Sequence, residues 1–318
     1  MAKETLTKKT ASTDFVLDVK KENKKDAIKT TISKTITYIF LTIVAVLSFL
    51  PFYWMVISSL KTETEYRWSV PSFFPTETIQ WKNYSFIFDT AKDADFPITD
   101  ALVNTLLVGV LSTILGIIII IISAYAFARL EFKGKELVFS LMMLTMMIPG
   151  ELFTTTNYIT VSKLNWNETY VVMIAPFLVS FYYIFLLRNA FKQIPDSLYQ
   201  AAKVDGCSDL GYLIKVMVPL TAPTLTSVAL LKFIGVWNTY IWPRLVNKKD
   251  KSMQLISNWV MQGFVDTDNY FGYIYGKSEQ LVSVKMAAVC LVTLPLLILF
   301  ICFRKYIMAG VSKSGTKG

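Results

Sequence analysis

Four stretches of this chain, 35–60, 101–128, 169–187 and 286–303, contain no Asp, Glu, Lys or Arg. Each is about 18 residues or longer, close to the ~20 that cross a ~30 Å hydrocarbon core at 1.5 Å rise per residue. Two more, 137–162 and 216–243, carry one charge apiece, Glu151 and Lys232. Runs this long without a recurring polar face do not suit the buried helices of a soluble domain. The chain therefore reads as an all-α integral membrane protein with six transmembrane helices. Composition agrees: 17% of residues are charged, against about 25% in soluble domains.

The net charge of +9 would suggest nucleic acid as a partner of a soluble domain, but here it serves orientation. With the N-terminus in the cytoplasm, the inside segments 1–34, 129–136, 188–218 and 304–318 hold 20 Lys and Arg, and the outside segments 10. Such a bias places both termini in the cytoplasm. The three cysteines, Cys207, Cys290 and Cys302, suggest neither a disulfide framework nor a zinc site. The absence of His removes His-based general bases and HExxH metal sites.

Residues 1–34 form a Lys-rich cytoplasmic tail, whose first 27 residues read as disordered, leading into the first span. Residues 35–101 comprise that span and an external cap, with five aromatics between Tyr66 and Trp81. Residues 102–303 form the core, and 304–318 a cytoplasmic C-terminal tail. The second span is nearly all aliphatic and is expected to face lipid widely, with Tyr125 and Phe127 at its inner interface. Pro149-Gly150-Glu151 lies inside the third span, where it should break the helix.

The inside loop 188–218 is more than a connector. Pro195 and Asp196 suit the first turn of a helix. Leu198, Ala201, Ala202 and Asp205 follow at i, i+3, i+4 and i+7, on one face. Gly206 ends that helix and Ser208 caps a second one, 209–218, expected to stop at Pro219. Small residues on the first helix would let another protein approach closely.

Those residues carry a resemblance. Asp196-Ser-Leu-Tyr-Gln-Ala-Ala-Lys-Val-Asp-Gly206, with Val218-Pro-Leu-Thr-Ala-Pro223 downstream, resembles the EAA loop of ABC importer permeases. The likeness is closest to MalG-like subunits of the carbohydrate-uptake group. Phe233-Ile-Gly-Val-Trp-Asn-Thr-Tyr-Ile-Trp-Pro243 is similar to the fifth span of that group, and the end of the chain to its C-terminal tail. Gln200 replaces the motif's Glu and Cys207 its usual Ala, so an ion pair made by that Glu is not carried over.

The resemblance implies a bacterial cytoplasmic-membrane permease paired with a second, homologous permease. Two ATPase subunits, holding ATP and Mg, would bind beneath, and an extracellular binding protein would deliver a sugar or oligosaccharide. Leu198, Gln200, Ala201, Ala202, Asp205 and Gly206 would couple to the ATPase. The C-terminal residues 308–318 are expected to lie against it too. This chain itself is not expected to be an enzyme or to hold a cofactor or metal. Its nearest phosphate-loop look-alike, Gly310 to Thr316, lacks Gly-Lys-Ser/Thr.

The two charges inside spans stand out, because a central charge costs at least ~2.5 kcal/mol on insertion scales and should face protein or water. They could pair with each other, or Lys232 could line the pathway and attract an acidic or phosphorylated sugar. Trp237, Asn238 and Tyr240 are candidates for stacking and hydrogen bonding to a sugar. On the outside loop 244–283, Trp259, Tyr270, Phe271 and Tyr273 could anchor the binding protein or form an aromatic belt in lipid. A secondary transporter would also suit six spans with intramembrane charges, but leaves the two-helix loop unexplained. A membrane-embedded enzyme would need a clustered nucleophile and acid–base pair, which the sequence does not suggest.

Overall fold

The computed structural model describes residues 2–89, 98–265 and 281–312, which are helical or irregular with no strand among them. The chain divides into two units, Met1–Ile57 and Ser58–Gly318. One helix, Ala2–Ser59, runs through the first. This corrects the expectation of a disordered tail. Residues 2–34 contain no Gly or Pro, so nothing locally stops the helix of the first span from extending backwards.

Among the described residues three helices are long and apolar enough to cross a membrane: Lys29–Ser59, Ile98–Arg129 and Val282–Tyr306. The third, fourth and fifth spans are broken. Lys135–Thr145 and Gly150–Lys163 meet at 88°, Tyr170–Phe177 and Phe181–Lys192 at 45°, and Asp209–Leu220 and Ala222–Trp237 at 81°. The break in the third span is the one foreseen at Pro149, which takes an extended conformation (φ −56°, ψ 130°). The break in the fourth span corrects the picture of a continuous helix there, whereas the one at Thr221 lies two residues from the stop expected at Pro219, between the second loop helix and the fifth span. Pro176 opens the helix ladder before Ser180 extends the chain at φ −137°. Pro219 and Pro223 both lack an N–H, so the ladder opens twice within five residues around Thr221. The second loop helix therefore runs past Pro219, through a π-helical turn Leu213–Met217, to Leu220.

Ile98–Arg129 is the central element of the second unit and packs against both Phe181–Lys192 and Ala222–Trp237. Its buried residues, among them Ala101, Asn104, Thr105, Ser112, Gly116, Ile120 and Ala124, recur at helical spacing. Small residues there let neighbouring backbones approach, the usual basis of helix packing in lipid. The opposite face is exposed, with Val103, Leu111, Ile118 and Ile122 uncovered.

The segment 60–81, expected to form a cap, is held from within. Glu65 is buried, and its carboxylate accepts from Ser72 Oγ (2.6 Å), Thr76 N (2.9 Å), Thr76 Oγ1 (3.0 Å) and Glu77 N (3.3 Å). Burial pushes that carboxyl's pKa up, but these donors outweigh it and hold it below the ordinary value.

Candidate functional site

The loop 188–218 is built as two capped helices. In the first, Asp196–Val204, Asp205 is the C-cap and Gly206 follows at φ +71°. Gly206 N donates to Lys203 O (3.1 Å) and Cys207 N to Ala202 O (2.8 Å). These two bonds make a Schellman motif, which closes the helix and turns the chain sharply. Ser208 then caps the next helix, its Oγ accepting from Gly211 N at 3.1 Å.

Polar contacts fasten this elbow to the second span. Asp209 Oδ1 accepts from Tyr199 OH (2.8 Å) and Tyr125 OH (3.3 Å), and pairs with Lys203 Nζ (2.9 Å). The Lys203 hydrogen bond, with that from Tyr199, lowers the pKa of Asp209, and the same bond to Asp209 raises that of Lys203. Tyr125 is thus a buried anchor of the loop rather than an aromatic at the headgroups. Arg129 bonds Asp196 and also donates to Phe191 O and Ile194 O. Arg188, the first residue of the loop, is buried. It donates to Phe127 O (3.1 Å) and Glu136 Oε1 (3.0 Å), with its guanidinium 3.8 Å from the Phe139 ring centroid.

The expected single face of the first loop helix is divided. Ala202 is half-buried and turns inward with Tyr199 and Cys207 onto the core of Leu187, Phe191 and Tyr212. Leu198, Gln200, Ala201, Asp205 and Gly206 are exposed. Sequence reasoning missed the apolar residues that stand out furthest, Val204 at 88% exposure and Leu210 at 64%. The signal was present: Val204 follows Ala202 by two residues, which on a helix puts it on the far side.

A second feature lies within the spans. Lys232 is only 5% exposed, and its Nζ is 2.5 Å from Phe177 O, a carbonyl beside the break in the fourth span. Gly116 of the second span leaves room for it, since a Cβ there would stand 2.7 Å from Nζ. A cavity of about 320 Å³ opens alongside, lined in part by Phe177, Ser180, Tyr183, Gly235, Thr239 and Trp242. Glu151 is exposed on the turn Gly150–Phe153 and makes no ion pair with Lys232.

The other pathway candidates do not line this cavity. Trp237 is buried in a separate core with Ile98, Ile256 and Trp259. Asn238 is exposed at a helix end, and Tyr240 accepts from Arg244 Nη1. Trp259 is buried too, which removes it as an exposed anchor for a binding protein. Tyr270, Phe271 and Tyr273 lie outside the described residues, as do 313–318 of the C-terminal tail.

Comparisons with known proteins bear on the whole assembly. The model of the family described as binding-protein-dependent transport system inner membrane component matches residues 116–313. The arabinooligosaccharides transport system permease protein AraQ of Halalkalibacterium halodurans is 27% identical, over 89% of this chain and 95% of its own length. The diacetylchitobiose uptake system permease protein DasC of Streptomyces coelicolor is 30% identical, over 84% of this chain and 91% of its own. Among solved structures, a bacterial ABC transporter involved in the import of the acidic polysaccharide alginate superposes with a TM-score of 0.74 at 22% identity. It covers 86% of this chain and 96% of that one. The family match spans the capped loop and all but one residue of the cavity lining: this multi-pass membrane protein belongs to the binding-protein-dependent transport system inner membrane components.

Proposed function

We propose that this chain is the pathway-forming permease subunit of an ATP-driven importer of a sugar or oligosaccharide, in a bacterial cytoplasmic membrane with both termini inside. One observation carries the reading. The loop 195–218 is capped at both helices and tied to the second span through Arg129 and through the bond from Tyr125 to Asp209, yet leaves Leu198, Val204 and Leu210 uncovered. An anchored apolar surface on a short inside loop suits docking of a partner that must transmit force, here an ATPase subunit carrying ATP and Mg. A second, homologous permease completes the pathway, and an extracellular binding protein delivers the solute. Sugar cargo rests on likeness to the arabinooligosaccharide and diacetylchitobiose permeases.

The test is uptake of labelled oligosaccharide by proteoliposomes holding this chain with its partner permease, ATPase and binding protein. Uptake should require ATP inside, and Val204→Asp should uncouple it while leaving assembly of the permease pair intact. Uptake driven by an ion gradient without ATPase subunits would overturn the reading.

A further inference from the structure

Among the described residues Lys232 is a cation without a counter-charge. It lies ten residues into the helix Ala222–Trp237, about 15 Å along its axis. No Asp or Glu lines the cavity beside it, and none of the ion pairs found among the described residues includes it. A charge at this depth is costly and persists where something compensates it. An ammonium has three N–H donors. The Phe177 carbonyl takes one, and a carbonyl supplies a dipole rather than a full charge. Gly116 and Phe177 hold the side chain from two other spans, so the cation is placed in advance of any ligand.

The rest of the cavity has the character of a carbohydrate site. Phe177 and Trp242 stand edge to face, 6.0 Å apart at 85°, and line the same space. The Trp242 indole N–H is committed to Val172 O at 3.0 Å, so this residue supplies ring surface rather than a donor. Ser180, Tyr183 and Thr239 add hydroxyls. Aromatic surface with a few placed polar groups suits a sugar ring and its hydroxyls. At about 320 Å³ the cavity is at the small end of ligand sites, suited to a short segment of a saccharide. The single cation matches one carboxylate per sugar unit better than a phosphate, whose charge approaches −2.

We infer that this cavity is a saccharide subsite selecting acidic sugar units, with Lys232 pairing their carboxylate. The inference rests on the importer reading but goes further, since that reading does not require an acidic cargo.

Binding to the purified permease–ATPase complex, free of binding protein, tests it separately from uptake. The probes are labelled tetragalacturonate and the same oligomer with its carboxyls reduced to hydroxymethyl groups. The acid should bind at least about tenfold tighter, as expected for a charge-assisted hydrogen bond. Lys232→Met should abolish that preference and Lys232→Arg should keep part of it. Gly235→Leu gives a variant that leaves Lys232 untouched. A Cβ at Gly235 meets open space, so the larger side chain should fill the cavity without disturbing the packing. Binding of both probes should fall about tenfold or more, and this decides the matter if Lys232→Met fails to assemble. Equal affinity for the two probes, no binding of either, or an unchanged acid preference in Lys232→Met would overturn the inference, as would undiminished binding in Gly235→Leu. ATP-driven uptake of a neutral oligosaccharide alongside any of these results would leave the importer reading standing.

Discussion

Arg129, the last residue of the second span, is bonded to Asp196, the first residue of the loop helix, across 67 positions of sequence. The two ends are unequal: the Arg129 side chain is 9% exposed and that of Asp196 81%. The exposed carboxylate is therefore worth little, while the buried guanidinium also satisfies Phe191 O and Ile194 O. Asp196→Asn should cost the loop at most about 1 kcal/mol. Arg129→Met should cost about 2–4 kcal/mol, because it leaves two carbonyls without their donor. Hydrogen exchange of amides 196–205 reads the difference. Equal effects of the two substitutions would refute this account.

Asp209 predicts a flat pH response. Its lowered pKa means that its stabilising contribution is present above the ordinary aspartate range and is lost only as pH falls through the lowered value. Lys203, raised by the same hydrogen bond, contributes below the ordinary lysine range and loses that contribution only as pH rises through the raised value. The difference in melting temperature between wild type and Asp209→Asn should stay constant from about pH 5 to 9. A slope near neutrality would point to another group.

At Gly206 the demand is conformational and not steric, since a Cβ would meet nothing within 4 Å but φ is +71°. Val should cost about 1–2 kcal/mol, whereas Asn, which tolerates the left-handed region, should cost much less. Gly206→Val should raise ATP hydrolysis per solute transported, and Gly206→Asn should stay near wild type. Identical coupling ratios in both variants would contradict a role for the elbow's geometry.

Glu65 should control the external cap. Glu65→Ala strips four donors of their acceptor and should cost about 3 kcal/mol. Faster cleavage within residues 66–81 by protease added outside is the expected result. Because the carboxyl is held below its ordinary value, the wild-type cap should resist equally at pH 8 and pH 5, its protection failing only at lower pH. Loosening near pH 6 would argue against that environment.

Much of this molecule is written locally. Hydropathy over about 20 residues sets the number of spans, and Pro149 announces its own break. Gly206 and Ser208 specify the elbow, because caps depend on hydrogen bonds reaching only a few residues. The composition of residues 2–34 also favoured helix, and treating low hydrophobicity as disorder overlooked the neighbouring span that nucleates it.

What the sequence by itself determined is therefore the set of spans, their expected orientation and the capped loop; which face of each helix meets which neighbour was decided only in the folded chain. In lipid a protein-facing surface and a lipid-facing one are equally apolar, so periodicity cannot tell them apart. That is why the wide exposure of the second span was legible but the position of its buried stripe was not, a stripe that includes Asn104 bonded to Ser252 O at 2.6 Å. It is also why Trp237 looked like a pathway residue and proved to be core. Lys232 was conspicuous as a charge, but its partner is the Phe177 backbone, 55 positions away and beside a helix break. A carbonyl beside such a break has no side-chain signature, and only the packing of three spans around Gly116 brings the ammonium to it.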